Sequence, residues 1–144
     1  SADGLAFAAE PAAVLSGDFG GEALLFAPRV LVDGTVFKMW YTFARLAELP
    51  RTDNVCDAAN KVQIGYATSA DGLYWIRSPG NPALAVGGGG WDRDNRLLLV
   101  GSVVPREGDD VASGVALYYS THRMVPVLGV PTCLPDGIGR AVRP

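Results

Sequence analysis

The chain reads as an all-β protein made of a repeated four-stranded antiparallel unit, and three observations carry that reading. The stretch Ser69-Ala70-Asp71-Gly72-Leu73-Tyr74-Trp75 repeats Ser1-Ala2-Asp3-Gly4-Leu5-Ala6-Phe7, with five successive matches and an aromatic closing each copy. Near-identity of this kind marks a duplicated supersecondary unit. Eighteen glycines and ten prolines are spread along the chain and punctuate short apolar runs, as in strands joined by turns. Further motifs recur in the same order. Pro28-Arg29-Val30-Leu31-Val32-Asp33-Gly34 corresponds to Gly101-Ser102-Val103-Val104-Pro105-Arg106-Glu107-Gly108, and Met39-Trp40-Tyr41-Thr42 to Leu117-Tyr118-Tyr119-Ser120. Ile64-Gly65-Tyr66-Ala67-Thr68 corresponds to Ile138-Gly139-Arg140-Ala141-Val142, and Glu10-Pro11-Ala12 to Asn81-Pro82-Ala83.

Taken in order, residues 30–32, the pair Asp33-Gly34 and residues 35–42 predict a hairpin. Asp-Gly tolerates the positive φ angles of a tight two-residue connection. Val36-Phe37-Lys38-Met39-Trp40-Tyr41 crowds apolar residues together, which predicts a strand buried on both faces, as between stacked sheets. Residues 43–49 include helix formers but sit between strands and read as an insertion, and residues 45–60 form a long polar connection. Residues 62–68 predict a third strand, 69–72 a turn and 73–77 a fourth strand. Ser69 and Asp71 are expected to hydrogen-bond the backbone of their own turn. Gly65 is expected to permit close packing of its neighbours. Pro79-Gly80-Asn81-Pro82 and the glycines at 87–90 then carry the chain to a second meander starting near Leu97.

A four-stranded meander that repeats through such a crossover has the pattern of a β-propeller blade. Residues 24–85 make one blade and residues 97–144 three strands of another, within a single domain spanning 1–144. Residues 1–15 have the phase of the missing outer strand of that second blade. Two blades curl too little to close a ring within one chain, and an open sheet edge is a liability. The expectation is a partial propeller that self-associates into a homo-oligomer by strand exchange.

Composition narrows the function classes. At 144 residues, with 49% hydrophobic and 19% charged, the chain can bury a core. The net charge of −3 and the absence of a Lys/Arg run argue against a nucleic-acid partner, which needs a clustered basic face. No apolar run approaches the length of a membrane helix, and no signal peptide is legible, although a processed secreted or periplasmic protein would look the same. Cys56 and Cys133 match no zinc spacing and are expected to be free structural thiols, a disulfide or a metal site with His122 being the alternatives. His122, the sole histidine, reads as an ordinary surface residue with no Ser-His-Asp context. The glycines at 87–90 lack the lysine and the strand-loop-helix setting of a phosphate loop, so neither cofactor nor metal is expected.

The run from Pro28 through Phe37-Lys38-Met39-Trp40-Tyr41-Thr42, Ile64-Gly65-Tyr66-Ala67-Thr68-Ser69-Ala70-Asp71-Gly72-Leu73-Tyr74-Trp75, Asn81-Pro82-Ala83-Leu84 and Gly90-Trp91-Asp92 resembles one blade of the five-bladed β-propeller glycosidases. That clan includes arabinanases, β-xylosidases, invertases and levansucrases, together with the mannoside phosphorylases. The resemblance is strong from Pro28 to Asp92 and weak from Arg106 to Pro144. It implies a carbohydrate partner and glycoside hydrolase-like chemistry. The matching residues are blade-building ones, with Trp40, Tyr41, Tyr66 and Trp75 expected to fill space between blades. A sugar-stacking role is an alternative for Trp75 and Trp91. The turn at Ser69 also resembles the Asp-box of sialidase propellers, with one residue missing between Asp71 and Gly72.

Glycoside hydrolysis needs two carboxyl groups facing each other across the bond. The resemblance places one of them directly before the proline that opens an inner strand, where this chain has Ala27 ahead of Pro28. The equivalent positions in the second repeat are Gly101 and Ser102. The catalytic roles therefore do not transfer. Asp18 and Glu22 precede the first inner strand, and Asp92 and Asp94 precede the second, which makes these four the candidate carboxylates. Their plainer reading is as solvated loop acids, and assembly of copies is what could bring a pair together. Asp33, Glu107 and Asp136 read as turn residues. The expected function is a carbohydrate-active propeller relative without a complete catalytic site of its own; the alternative is a non-catalytic glycan-binding or protein-interaction module.

Overall fold

The computed structural model describes residues 7–17, 21–45, 61–87, 97–106 and 114–142. The protein is all-β. Its strands are β1 (Glu22–Asp33), β2 (Val36–Arg45), β3 (Val62–Ser69), β4 (Ile76–Arg77), β5 (Leu97–Pro105), β6 (Val115–Val127) and β7 (Val130–Val142). They form one mixed seven-stranded sheet in the order β1-β2-β3-β5-β6-β7, with β4 also on β3. The expected pair of separately bonded sheets is thus corrected to one. The join is a single parallel pairing of Val62 with Leu97.

The repeat read from the sequence returns in the strand registers. Met39, Trp40, Tyr41 and Thr42 stand opposite Ala67, Tyr66, Gly65 and Ile64. Leu117, Tyr118, Tyr119 and Ser120 stand opposite Ala141, Arg140, Gly139 and Ile138. The first strands also agree. Val30 faces Met39 as Val103 faces Leu117, and each strand has a register shift just before, between Phe26 and Arg29 and between Val100 and Ser102. In both units a tyrosine ring lies over a glycine of the next strand. A Cβ on Gly65 would sit 2.7 Å from Tyr41 Cζ, and one on Gly139 would run into the Tyr119 ring. Gly65 and Gly139 leave the space those rings occupy.

Because strand side chains alternate, each unit has two faces. In the first unit the front carries Met39, Tyr41, Phe43 and Ala67, a cluster to which Leu15, Leu25 and Trp75 are added. Its back carries Trp40, Ile64 and Tyr66, which pack with Leu98, Val100, Val103, Leu117 and Tyr119 on the front of the second unit. The Trp40 and Tyr66 rings lie 5.0 Å apart in that layer. The sheet folds over at its single parallel join, so β5 lies against β1 and β2. Two polar bonds pin the fold-over: Arg29 Nε donates to the Gly101 carbonyl at 2.6 Å, and Val100 N–H donates to Thr42 Oγ1 at 3.1 Å. Burial of β2 on both faces follows, with every residue from 39 to 44 buried. Tyr41 and Trp75 are corrected to the front face, away from the layer between the units.

The fourth strand is shorter than expected. Only Ile76 and Arg77 pair with Thr68 and Ala67. Farther along the same edge of β3, the Asn81 side chain replaces a strand: its Oδ1 accepts from Tyr66 N–H at 2.9 Å and its Nδ2 donates to the Tyr66 carbonyl at 3.3 Å. Leu84 then pairs with Ile64 and Leu97 with Val62. The edge is satisfied by four short pieces because buried backbone groups need partners whatever supplies them. The turn that displaces the strand is built as the sequence implied. Ser69 Oγ accepts from Asp71 and Gly72 N–H, and Asp71 Oδ1 accepts from Leu73 and Tyr74 N–H at 2.8 and 2.9 Å. Those backbone donors hold the exposed Asp71 carboxyl below its ordinary value of 3.8. A lowered folded-state value means the turn's stabilisation is fully present above the ordinary, unfolded-state value and is lost as pH falls through the folded one. Asp71→Ala is therefore expected to lower Tm at pH 7 and to flatten the acid limb of a Tm–pH profile; an unchanged acid limb would refute it.

Further expectations are corrected. Asp33 pairs with Val36, so the hairpin connection is Gly34-Thr35 rather than Asp33-Gly34, with φ of +58° at Gly34 alone, as in a type II′ turn. Asp136 lies in β7 and forms an ion pair with Arg123 at 2.7 Å rather than marking a turn. Cys133 is disulfide-bonded rather than a free thiol; Cys56, the only other cysteine, lies outside the described residues. Glu107 also lies outside them. Phe43, Ala44 and Arg45 belong to β2 rather than to the insertion expected over residues 43–49, and residues 46–49 lie outside the described residues. Residues 7–17 form no strand in the single chain.

The β6–β7 hairpin turns at Leu128-Gly129, with φ of +51° and +82°. Two positive angles make a type I′ connection, which suits Asn and Gly and strains a leucine. Leu128 is fully exposed and has no packing to lose. Leu128→Asn is expected to stabilise the protein by about 1 kcal/mol in urea unfolding, and a loss of stability would contradict the turn assignment.

Candidate functional site

Of the four carboxylates singled out in the sequence, Glu22 lies in a described element, whereas Asp18, Asp92 and Asp94 lie outside the described residues, as does Trp91. Glu22 is the first residue of β1 and is buried, contrary to a solvated loop acid. It borders a cleft of about 330 Å³ lined by Gly21, Glu22, Arg45, Arg77, Ser78, Pro79 and Asn81. Strands β1, β2 and β4 and the segment after β4 each contribute to it.

Both Glu22 oxygens are occupied. Oε2 accepts from the Tyr41 hydroxyl and from Arg77 Nε at 2.9 Å. Oε1 accepts from Asn81 Nδ2 at 2.6 Å. The Asn81 amide also donates to the Tyr41 oxygen at 3.0 Å, so the four side chains form one network. Arg77 reaches the Ser16 carbonyl as well, and Arg45 donates to the Asn81 carbonyl at 3.1 Å. Burial, the hydrogen bond to Glu22 and the Glu22 charge push the Tyr41 hydroxyl far above its ordinary range. Tyr41 therefore remains a donor across the physiological pH range. Among the described residues lining this cleft there is no second carboxyl of the kind hydrolysis requires. The recess offers guanidinium, amide and hydroxyl groups suited to holding polar ligand atoms.

Ala27, at the place where the resembled enzymes carry a carboxylate, lies in the register shift of β1 with φ of +51°. Trp75 packs on the front-face cluster and donates its indole N–H to the Gly72 carbonyl at 2.9 Å, which commits its one polar atom to the turn. His122 is half-buried in β6 rather than on the surface. Its Nδ1 is buried without a hydrogen-bond partner, and desolvation lowers its pKa. Among the described residues no three His, Cys, Asp or Glu side chains are grouped to hold a metal ion, and no helix is long and apolar enough to cross a membrane.

Tyr41, Arg77, Asn81 and Arg45 were not legible as site residues. Asn81 was visible only as the residue before the recurring Pro-Ala, and Tyr41 only as a core aromatic. Glu22 and Arg77 are 55 residues apart in sequence, and only the return of β4 onto β3 brings them together. No family model, curated protein or solved structure matches this chain.

Proposed function

We propose that the chain is a carbohydrate-active β-propeller relative, glycoside hydrolase-like in ancestry, that lacks a complete catalytic pair on its own. The observation that carries the propeller part is the agreement of two meanders residue by residue in register, with the back of one packed on the front of the other. Blades of a propeller repeat in that way. The absence of a carboxylate at Ala27 and at Gly101-Ser102 supports the loss of catalysis, as does the commitment of Glu22 to Arg77, Tyr41 and Asn81. Fold and activity separate readily, so the chemistry is read from the site.

A second reading, a glycan-binding module without catalysis, is favoured by the cleft beside Glu22, which has hydrogen-bonding groups of both signs. A panel of aryl glycosides and a glycan array test both. The expected result is glycan binding without hydrolysis. Hydrolysis that disappears in Glu22→Gln, with the fold retained by circular dichroism, would restore a catalytic role. The absence of both binding and hydrolysis would overturn the carbohydrate reading.

A further inference from the structure

The two units share one register, so equivalent positions are expected to have equivalent surroundings. At several pairs they do not. Ile64, on the back of the first unit, is 0% exposed, whereas its counterpart Ile138, on the back of the second, is 80% exposed. Val103, on the front of the second unit, is 7% exposed, whereas its counterpart Val30, on the front of the first, is 46% exposed. The buried member of each pair lies in the layer where the units meet, and the exposed member lies on the face turned away from it. Tyr118, the counterpart of buried Trp40, is also exposed, as are Val104 and Val142.

We propose that the back of the second unit seats the first-unit front of another copy of this chain, repeating between molecules the packing that already joins the two units within one. The occupant follows from continuity with the existing interface: what covers a back face here is a front face, and the unmatched front belongs to the first unit. Leu15, Leu25 and Trp75 pack on part of that front, and Val30 and Val32 stay exposed. The N-terminal segment fits the same arrangement. Pro82, Ala83 and Leu84 lead to the Leu84 pairing that covers Ile64. Pro11 and Ala12 are their sequence counterparts, which sets residue 13 of the incoming copy against Ile138. Residues 7–17 form no strand in the single chain, and pairing there would occupy the open edge of β7.

The contact is heterologous, front on back, so it closes a ring when the rotation allows and otherwise extends. Copies with two units each close only even-numbered rings. Propellers of about four to eight blades therefore correspond to two, three or four copies. The inference does not depend on any sugar ligand.

Sedimentation velocity on the full chain tests it, with Val30→Asp and Ile138→Asp as variants whose folding is checked by circular dichroism. Both side chains are exposed in the single chain, so the fold tolerates the change. Wild type is expected to sediment as a multimer and each variant as a monomer. An equimolar mixture of the two variants is expected to form a dimer, because one retains the front and the other the back. A monomeric wild type overturns the proposal. So does a wild-type dimer abolished by Ile138→Asp but indifferent to Val30→Asp, which would mean a symmetric back-to-back contact.

Discussion

Replacing Gly65 with alanine is expected to lower the unfolding free energy by about 3 kcal/mol, the upper range for overpacking a filled core. The added methyl would meet Tyr41 at 2.7 Å from Cζ and 2.9 Å from the hydroxyl oxygen, distances no real Cβ tolerates. A tyrosine ring at a surface would swing aside. Tyr41 is buried, and its hydroxyl is bonded to Glu22 and Asn81. Moving the ring would break those bonds, so the strain falls on the backbone of β2 and β3. Domains of this size are stable by about 5–15 kcal/mol, which makes the loss a large fraction of the whole. Urea unfolding measures it. Gly80→Ala is the control, because its nearest neighbour would be Ser78 Oγ at 3.7 Å, and little change is expected there. Equal midpoints for the two variants would refute the close approach of Tyr41.

Glu22→Ala is expected to cost about 3 kcal/mol, the lower end for removing one partner of a buried ion pair. The carboxylate side chain is 8% exposed and the Arg77 side chain 28%, so water recovers part of the loss at the arginine. The Tyr41 hydroxyl, deeper in, loses its acceptor altogether and carries most of the penalty. Two comparisons separate these contributions. Arg77→Met alone removes the charge partner but leaves Tyr41 and Asn81 on Glu22, so its cost is expected to be smaller. The double variant is expected to be less destabilised than the sum of the singles, because both act on one network. Strict additivity in urea unfolding would mean that the groups do not act together. A Glu22→Ala loss below about 1 kcal/mol would place the carboxylate in water rather than in the core.

These two residues mark how far the sequence could be read. Gly65 was legible because it recurs as Gly139 opposite a recurring tyrosine, and a glycine in a strand implies something close above it. Ser69 and Asp71 were legible because their bonds run to residues two and three positions away. Glu22 was visible only as an acid near the start of a strand. Its partners come from β2, β4 and the segment beyond, and no local pattern ties those together. The same distance in sequence hid the role of Asn81, whose side chain completes a strand edge that was expected to be completed by backbone. Cys133 was misread for a related reason: a thiol's partner is set by where the chain returns, and spacing alone does not report that.

The amino-acid order by itself determined the all-β class, the two matching meanders, the doubly buried β2 and the turn at Ser69. All of these follow from alternation, turn chemistry and repetition within short spans. Tertiary structure decided the rest: that the meanders share one sheet through Val62 and Leu97, that one unit's back lies on the other's front, and that Glu22 is enclosed by Tyr41, Arg77 and Asn81. Those outcomes depend on how strands far apart in the chain come to lie together, and burial acts on surfaces that exist only once they have done so.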